Sequence, residues 1–250
     1  MRVISRWSVT HERSRISFST PPVSIPDFFV FPGLHGTTDL LNDFAAAAPG
    51  GARVELAALP THLVDYEALA SHFAATLRIT PESVLIAESF SGPLAIMLAE
   101  RFGVAALILC NTFAKAPYPR ALGWLPLSLI ARVPPPSFFL RYFIVGSDAS
   151  DLVVSAVRKA VERVPANTLA RRASSALKVD VTRELARCTS PILYLRGTPD
   201  HVIRKRSLDV IVRTATVPVS VANFAAPHLL LKTSPREAWS AIESFLGGSG

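Results

Sequence analysis

The run Val84-Leu85-Ile86-Ala87-Glu88-Ser89-Phe90-Ser91-Gly92-Pro93-Leu94 changes character twice within a few residues. Four apolar residues, Val84 to Ala87, stop at Glu88-Ser89, as a short buried strand bounded by polar groups does. From Pro93 the chain continues apolar to Ala99, then Glu100-Arg101-Phe102, and Gly103 follows. That is a helix with Pro in its first turn, where no N–H is needed, and Gly just past its end. Ser89 therefore falls on a tight strand-to-helix turn. Its hydroxyl is lifted to the end of a sheet, and the first N–H groups of the helix are aimed at whatever it attacks. The usual spacing for such a turn is Gly-x-Ser-x-Gly. Here the flanking positions are Ala87 and Ser91, both small, with Gly92 one step late. A Ser89 or Ser91 that merely caps a core helix is the competing reading, and this stretch alone leaves both open.

Outward from that turn, strands and helices alternate. Phe28 to Phe31 reads as a buried strand ended by Pro32-Gly33-Leu34-His35-Gly36-Thr37-Thr38, and Asp39 to Ala48 as a helix. Arg53 to Leu59 is a second strand, and Asp65 to Arg78, with Leu69, Phe73 and Leu77 four apart, is an amphipathic helix. Ala105 to Cys110 is another apolar strand. Further on, Pro191 to Gly197 and Val217 to Ala222 are strands, Arg204 to Arg213 is a helix, and Ser234-Pro235 opens a last helix to Leu246. Strands apolar on both faces, alternating with helices, specify an α/β architecture with a mostly parallel central sheet covered by helices on both faces. In such sheets ligands bind at the carboxyl ends of the strands, near the point where strand order reverses.

From Phe113 to Asp180 the alternation lapses. Prolines come early (Pro117, Pro119, Pro126, Pro134 to Pro136), and helices follow over Leu152 to Val164 and Asn167 to Leu177. This predicts a helical lid, 113–180, inserted into a core made of 1–112 and 181–250. Its apolar set includes Trp124, Phe138 and Phe139, which are candidates to line an acyl pocket. The net charge of +7 lies wholly here, since Lys115 to Lys178 holds ten Lys and Arg against Asp148, Asp151 and Glu162. Such a basic patch suits an acidic acyl carrier or an anionic substrate; a solvated helical face is the simpler reading. No nucleic-acid motif accompanies it.

Half of the 250 residues are apolar, enough for a large core, yet the most apolar long window (122–145) is broken by Arg132, Arg141 and the triple proline Pro134 to Pro136. That argues against a transmembrane segment. The N-terminus has four arginines by residue 15 but no secretory apolar block, and Arg15 to Ser19 alternates like an edge strand. Cys110 and Cys188 are too few for a disulfide framework and lack metal spacing, so a cytoplasmic location is expected. No metal or cofactor motif is visible.

A serine hydroxyl needs a base to take its proton, and the base needs an acid to fix its tautomer. Asp200 follows the strand ending near Leu195, and His228 follows the strand ending near Ala222, so the chain order is Ser, Asp, His. Asp180 is the rival acid and His201 a rival near Asp200, although His201 is expected to enter a helix. His35 and His62 lie on loops near the expected mouth and are candidates to touch substrate. The pieces Pro-Gly-Leu-His-Gly-Thr (32–37), Ala-Glu-Ser-Phe-Ser-Gly (87–92), Leu-Arg-Gly-Thr-Pro-Asp (195–200) and Ala-Pro-His-Leu-Leu-Leu (226–231) together resemble the α/β-hydrolase fold superfamily. The likeness is nearest to bacterial carboxylesterase-like serine hydrolases with a small helical lid. It implies Ser89 as nucleophile, His228 as base and Asp200 as acid, acting on a small-molecule carboxylic ester or thioester. It also implies an oxyanion hole from the N–H of Phe90 and one N–H of the 32–38 loop. Leu34 is the expected donor, with Pro32-Gly33 standing for the usual pair because the strand ends at Phe31; reading His35-Gly36 as the pair makes Thr37 the alternative. The same triad also serves perhydrolases and carbon–carbon hydrolases or lyases, and ligand receptors of this fold with little turnover.

Overall fold

The computed structural model describes residues 27–119, 121–122 and 126–248. The predicted edge strand at Arg15 to Ser19 and the pocket candidate Trp124 lie outside the described residues. Six strands form one sheet: β1 (Asp27–Phe31), β2 (Arg53–Leu56), β3 (Val84–Glu88), β4 (Ala106–Cys110), β5 (Ile192–Gly197) and β6 (Val219–Phe224). Their order is β2-β1-β3-β4-β5-β6, and every pairing is parallel. Strand order reverses between β1 and β3, so the crevice expected to hold a ligand opens between the loops after Phe31 and Glu88.

The pleat divides the apolar residues of each strand between two cores. Phe29, Phe31, Leu85, Ala87, Leu107, Leu109, Ile192 and Tyr194 point to one face. There they meet α2 (Tyr66–Thr76), α3 (Gly92–Phe102), α8 (Thr182–Arg187) and α9 (Lys205–Thr214). Phe28, Val30, Val84, Ile86, Ile108, Leu193 and Leu195 point to the other. They pack with α1 (Asn42–Ala46), α10 (Leu230–Thr233) and α11 (Pro235–Gly247). β3 and β4 are buried throughout because both faces are covered, whereas the edge strands β2 and β6 are half exposed.

Between β4 and α8 the chain forms α4 (Leu127–Ile130), α5 (Ser137–Phe139), a π-helical turn (Leu140–Val145), α6 (Asp151–Glu162) and α7 (Ala166–Ala176). A third, smaller core joins this segment to the sheet domain through Leu140, Val145, Val154, Val157, Ala160, Leu40 and Leu229. No helix of the described residues is long and apolar enough to cross a membrane.

Candidate active site

The turn after β3 is strained, and several neighbours hold it. Ser89 has φ +55°, a left-handed conformation that non-glycine residues seldom adopt. The Thr112 hydroxyl donates to Ser89 O, the Ser91 hydroxyl to Pro32 O, and the Tyr66 hydroxyl to Phe90 O at 3.0 Å. Tyr66 also stacks on Phe90, with ring centroids 4.8 Å apart. Behind the serine, a Cβ on Gly92 would overlap the Thr112 side chain, so only glycine lets α3 start this close to the end of β4.

His228 lies on the loop after β6 and Asp200 on the loop after β5. The His228 Nε2 is 2.8 Å from Ser89 Oγ, and its Nδ1 is 2.9 Å from Asp200 Oδ2. Asp200 Oδ1 accepts the N–H groups of Val202 (2.7 Å) and Ile203 (3.0 Å), which leaves Oδ2 directed at the imidazole. A carboxylate so held takes Nδ1–H, and Nε2 is left to accept the serine proton. Asn111, with φ +42°, ties these loops together. Its amide donates to the carbonyls of Pro227 and His228 and accepts from Gly197 N–H at 2.8 Å. Leu229 N–H donates to Ile144 O of the π-helical turn at 3.0 Å, which fixes the other side of the histidine.

The loop after β1 runs beside the serine. A Cβ on Gly33 would stand 3.7 Å from Ser89 Cβ and 3.9 Å from His35 Nε2. Gly36, at φ +76°, closes a turn by donating its N–H to Gly33 O at 2.9 Å. Thr37 N–H is taken by His35 Nδ1 at 3.1 Å, whereas Leu34 N–H meets no acceptor among the described residues. Of the two registers open in the sequence, the Thr37 donor is thus already engaged. Burial, and then the nearby Arg172 cation, lower the His35 pKa to about 4 against an opposing effect of Asp39. His35 is therefore neutral near pH 7, and with Nδ1 accepting, its Nε2 carries the proton. Glu88, buried directly before the serine, accepts Leu231 N–H at 3.2 Å, and burial raises its pKa to about 7.

A cavity of about 470 Å³ opens over Ser89 and His228. Gly33, Leu34, His35 and Leu229 form its floor, and α4, α6, α7, the Pro134–Pro136 run and Phe139 form its walls. Its lining is almost wholly apolar. Of the predicted pocket residues, His35 and Phe139 line it, but Phe138 is 74% exposed and does not. His62 is exposed and outside it. Asp180, the rival acid, pairs instead with Lys115 and Thr182. His201 does not enter a helix as expected. It belongs to the turn that wraps Asp200, stacks on Tyr142 with centroids 4.4 Å apart, and precedes α9. Cys110 is a buried core residue. Asn111, Thr112 and Arg172 were not legible as site residues, since each acts through the backbone of a distant segment and no local spacing marks it.

Among the described residues no group of three or more His, Cys, Asp or Glu is arranged to hold a metal. No family model matches this sequence, and no curated protein does. Solved structures do. An enol-lactonase from Burkholderia xenovorans LB400 is similar at 17% identity over 89% of this chain and 91% of that one, with a TM-score of 0.76. A hydrolase from Pseudomonas aeruginosa PA01 (19% identity, 90% and 91% covered, TM-score 0.76) is similar too. So is a thermophilic esterase from Thermogutta terrifontis (20%, 90% and 90%, TM-score 0.68). At such identities the likeness speaks for architecture, and it agrees with the six parallel strands and their reversal between β1 and β3: this chain has the α/β-hydrolase fold.

Proposed function

We propose that this protein is a serine hydrolase that cleaves a carboxylic ester through an acyl-enzyme on Ser89. The observation that carries the reading is the unbroken chain Ser89 Oγ, His228 Nε2, His228 Nδ1, Asp200 Oδ2, with both gaps under 3 Å. Ser89 Oγ attacks the carbonyl carbon as its proton passes to His228 Nε2, and Asp200 stabilises the imidazolium that forms. The tetrahedral oxyanion takes hydrogen bonds from the N–H groups of Phe90 and Leu34. Collapse of the intermediate returns the proton from His228 to the departing alkoxide. Water then attacks the acyl-enzyme with His228 again as base, releasing the acid and restoring Ser89.

The segment 113–180 acts as a lid whose inner face holds the acyl group. Its apolar lining suits an uncharged acyl chain, and a cavity of about 470 Å³ lies in the ordinary range for small-molecule sites. The experiment is hydrolysis of p-nitrophenyl esters combined with fluorophosphonate labelling. Ser89→Ala is expected to abolish labelling, and Ser89→Ala, His228→Ala and Asp200→Asn each to lower kcat by at least about 10³-fold. Unchanged turnover in Ser89→Ala, or labelling at another residue, refutes the assignment.

A further inference from the structure

Arg172 projects from α7 and is completely buried, yet no carboxylate among the described residues pairs with it. An arginine has five N–H donors in a fixed fork, and here all five are used on backbone carbonyls. Nε donates to Leu63 O at 3.4 Å. One terminal nitrogen donates to Leu34 O and His35 O, both at 3.1 Å. The other donates to Leu59 O at 3.1 Å and Pro60 O at 2.9 Å. Even with every donor satisfied, a buried cation is a poor source of stability, since a well-packed apolar replacement is often as good or better. Its presence therefore calls for a reason beyond packing.

Geometry supplies one. The carbonyls of Leu34 and His35 belong to the turn that Gly36 closes onto Gly33 O. The Gly33 carbonyl and the Leu34 N–H share one rigid peptide plane, so whatever holds the turn aims that N–H. A Cβ on Gly36 would overlap the guanidinium, so turn and arginine are fitted to each other. The Thr168 hydroxyl, one helical turn earlier on α7, donates to Thr61 O at 2.9 Å and adds to the same seam.

We infer that Arg172 is the positioning residue of the oxyanion turn: it locks the Gly33–Gly36 backbone from the lid side, so that Leu34 N–H is held where the oxyanion forms, and it couples lid seating to turnover. This rests on the acyl-enzyme reading above. It extends that reading, because the lid then contributes to the chemical step as well as to the pocket.

The test is kinetics per active site, with sites counted by fluorophosphonate titration, for the wild type, Arg172→Lys and Arg172→Gln on a short p-nitrophenyl ester. Losing one oxyanion donor costs about 10²–10³ in turnover, so a misaimed one is expected to lower kcat about 10- to 100-fold in Arg172→Gln, with KM within about threefold. An alkyl boronic acid, whose adduct on Ser89 places an oxygen at the oxyanion position, is expected to weaken by the same factor, and the carboxylic acid product hardly at all. Arg172→Lys, with three donors and no fork, recovers only part of the loss. If kcat per titrated site and boronate affinity both stay at wild-type values while only Tm falls, Arg172 is a structural tie and the inference is overturned. Should Arg172→Gln not fold, Arg172→Lys carries the same comparison. Ser89→Ala is run alongside: retained turnover there defeats the acyl-enzyme reading itself, whatever Arg172 does.

Discussion

Glu88 and His35 are ionisable side chains buried beside the serine, and burial moves them in opposite directions. Glu88 titrates at about 7 in the folded chain, against 4.5 for a free carboxyl, so folding favours its protonated form. Its contribution to stability is complete below about pH 4.5 and is lost as pH rises toward 7. His35 titrates at about 4 against 6.5, so folding favours its neutral form. Its contribution is complete above about pH 6.5 and is lost as pH falls toward 4. Each gradient amounts to on the order of 3 kcal/mol over its window, and between about pH 4.5 and 6.5 they oppose each other. Glu88→Gln keeps an acceptor for Leu231 N–H but cannot ionise, so urea midpoints of that variant are expected to rise with pH from 4.5 to 6.5. His35→Asn is expected to leave the opposite slope, with midpoints falling over the same range. Parallel curves for the two variants and the wild type would show that neither group is shifted. Ser89 and Asp200 can be placed on one rim from the sequence because each follows an apolar strand whose end is marked there, whereas His228 follows β6, a half-exposed edge strand whose end is not. Glu88 sat in plain view beside Ser89, but only the covered ends of β3 and β4 reveal that its carboxyl is dry.

The strand-turn-helix element works because its two sides are fitted at one point. Gly92 opens α3 against Thr112, and Thr112 in turn holds the carbonyl of the strained Ser89. Gly92→Ala places a methyl inside that contact at a helical φ where alanine is otherwise welcome, so its effect reports packing alone. Overpacking of this kind costs about 1–3 kcal/mol, and here the displaced group is the one that holds the Ser89 carbonyl. Gly92→Ala is therefore expected to lower kcat/KM for a short ester by more than its loss of Tm implies when assayed well below the transition. A drop in Tm with kcat/KM unchanged would mean that the turn tolerates the shift. The interior strands were readable within a residue or so because burial on both faces leaves a continuous apolar run. β6 runs two residues later than the Val217 to Ala222 that the sequence predicts, since its end is set by pairing of Phe224 with Gly197 and not by hydrophobicity. The six-residue α8 leaves no pattern in the sequence, because it buries only Leu185 and is too short to show a period. The π-helical turn at Leu140–Val145 has no sequence signature that separates it from an α-helix.

At the scale of the whole molecule, loops of the sheet domain carry Ser89, Asp200 and His228, and the segment between β4 and α8 supplies most of the cavity wall. The charge counted on that segment is muted in three dimensions. Arg172 is interior, and Lys115, Arg141 and Arg163 are paired with Asp180, Asp151 and Asp39. Such pairing is invisible in a linear count, since two of the partners lie outside the basic stretch. What the segment presents to Ser89 is apolar: Leu127 and Ile130 from α4, Val157 and Val161 from α6, and Leu169, Ala170 and Ala173 from α7. If acyl chains lie along this wall, their permitted length is set by the small residues of α7 and not by the triad. Ala173→Phe is expected to fill the distal cavity. It should lower kcat/KM for p-nitrophenyl octanoate by about 10-fold or more while changing the acetate by less than about threefold, in keeping with the roughly 1–3 kcal/mol that even one methylene contributes in an apolar pocket. Ala173 is one residue from the Arg172 fork, so the acetate rate also serves as the internal check. Equal losses on both esters would point to a disturbed oxyanion turn, and a wild-type preference for octanoate surviving in the variant would place the acyl chain elsewhere.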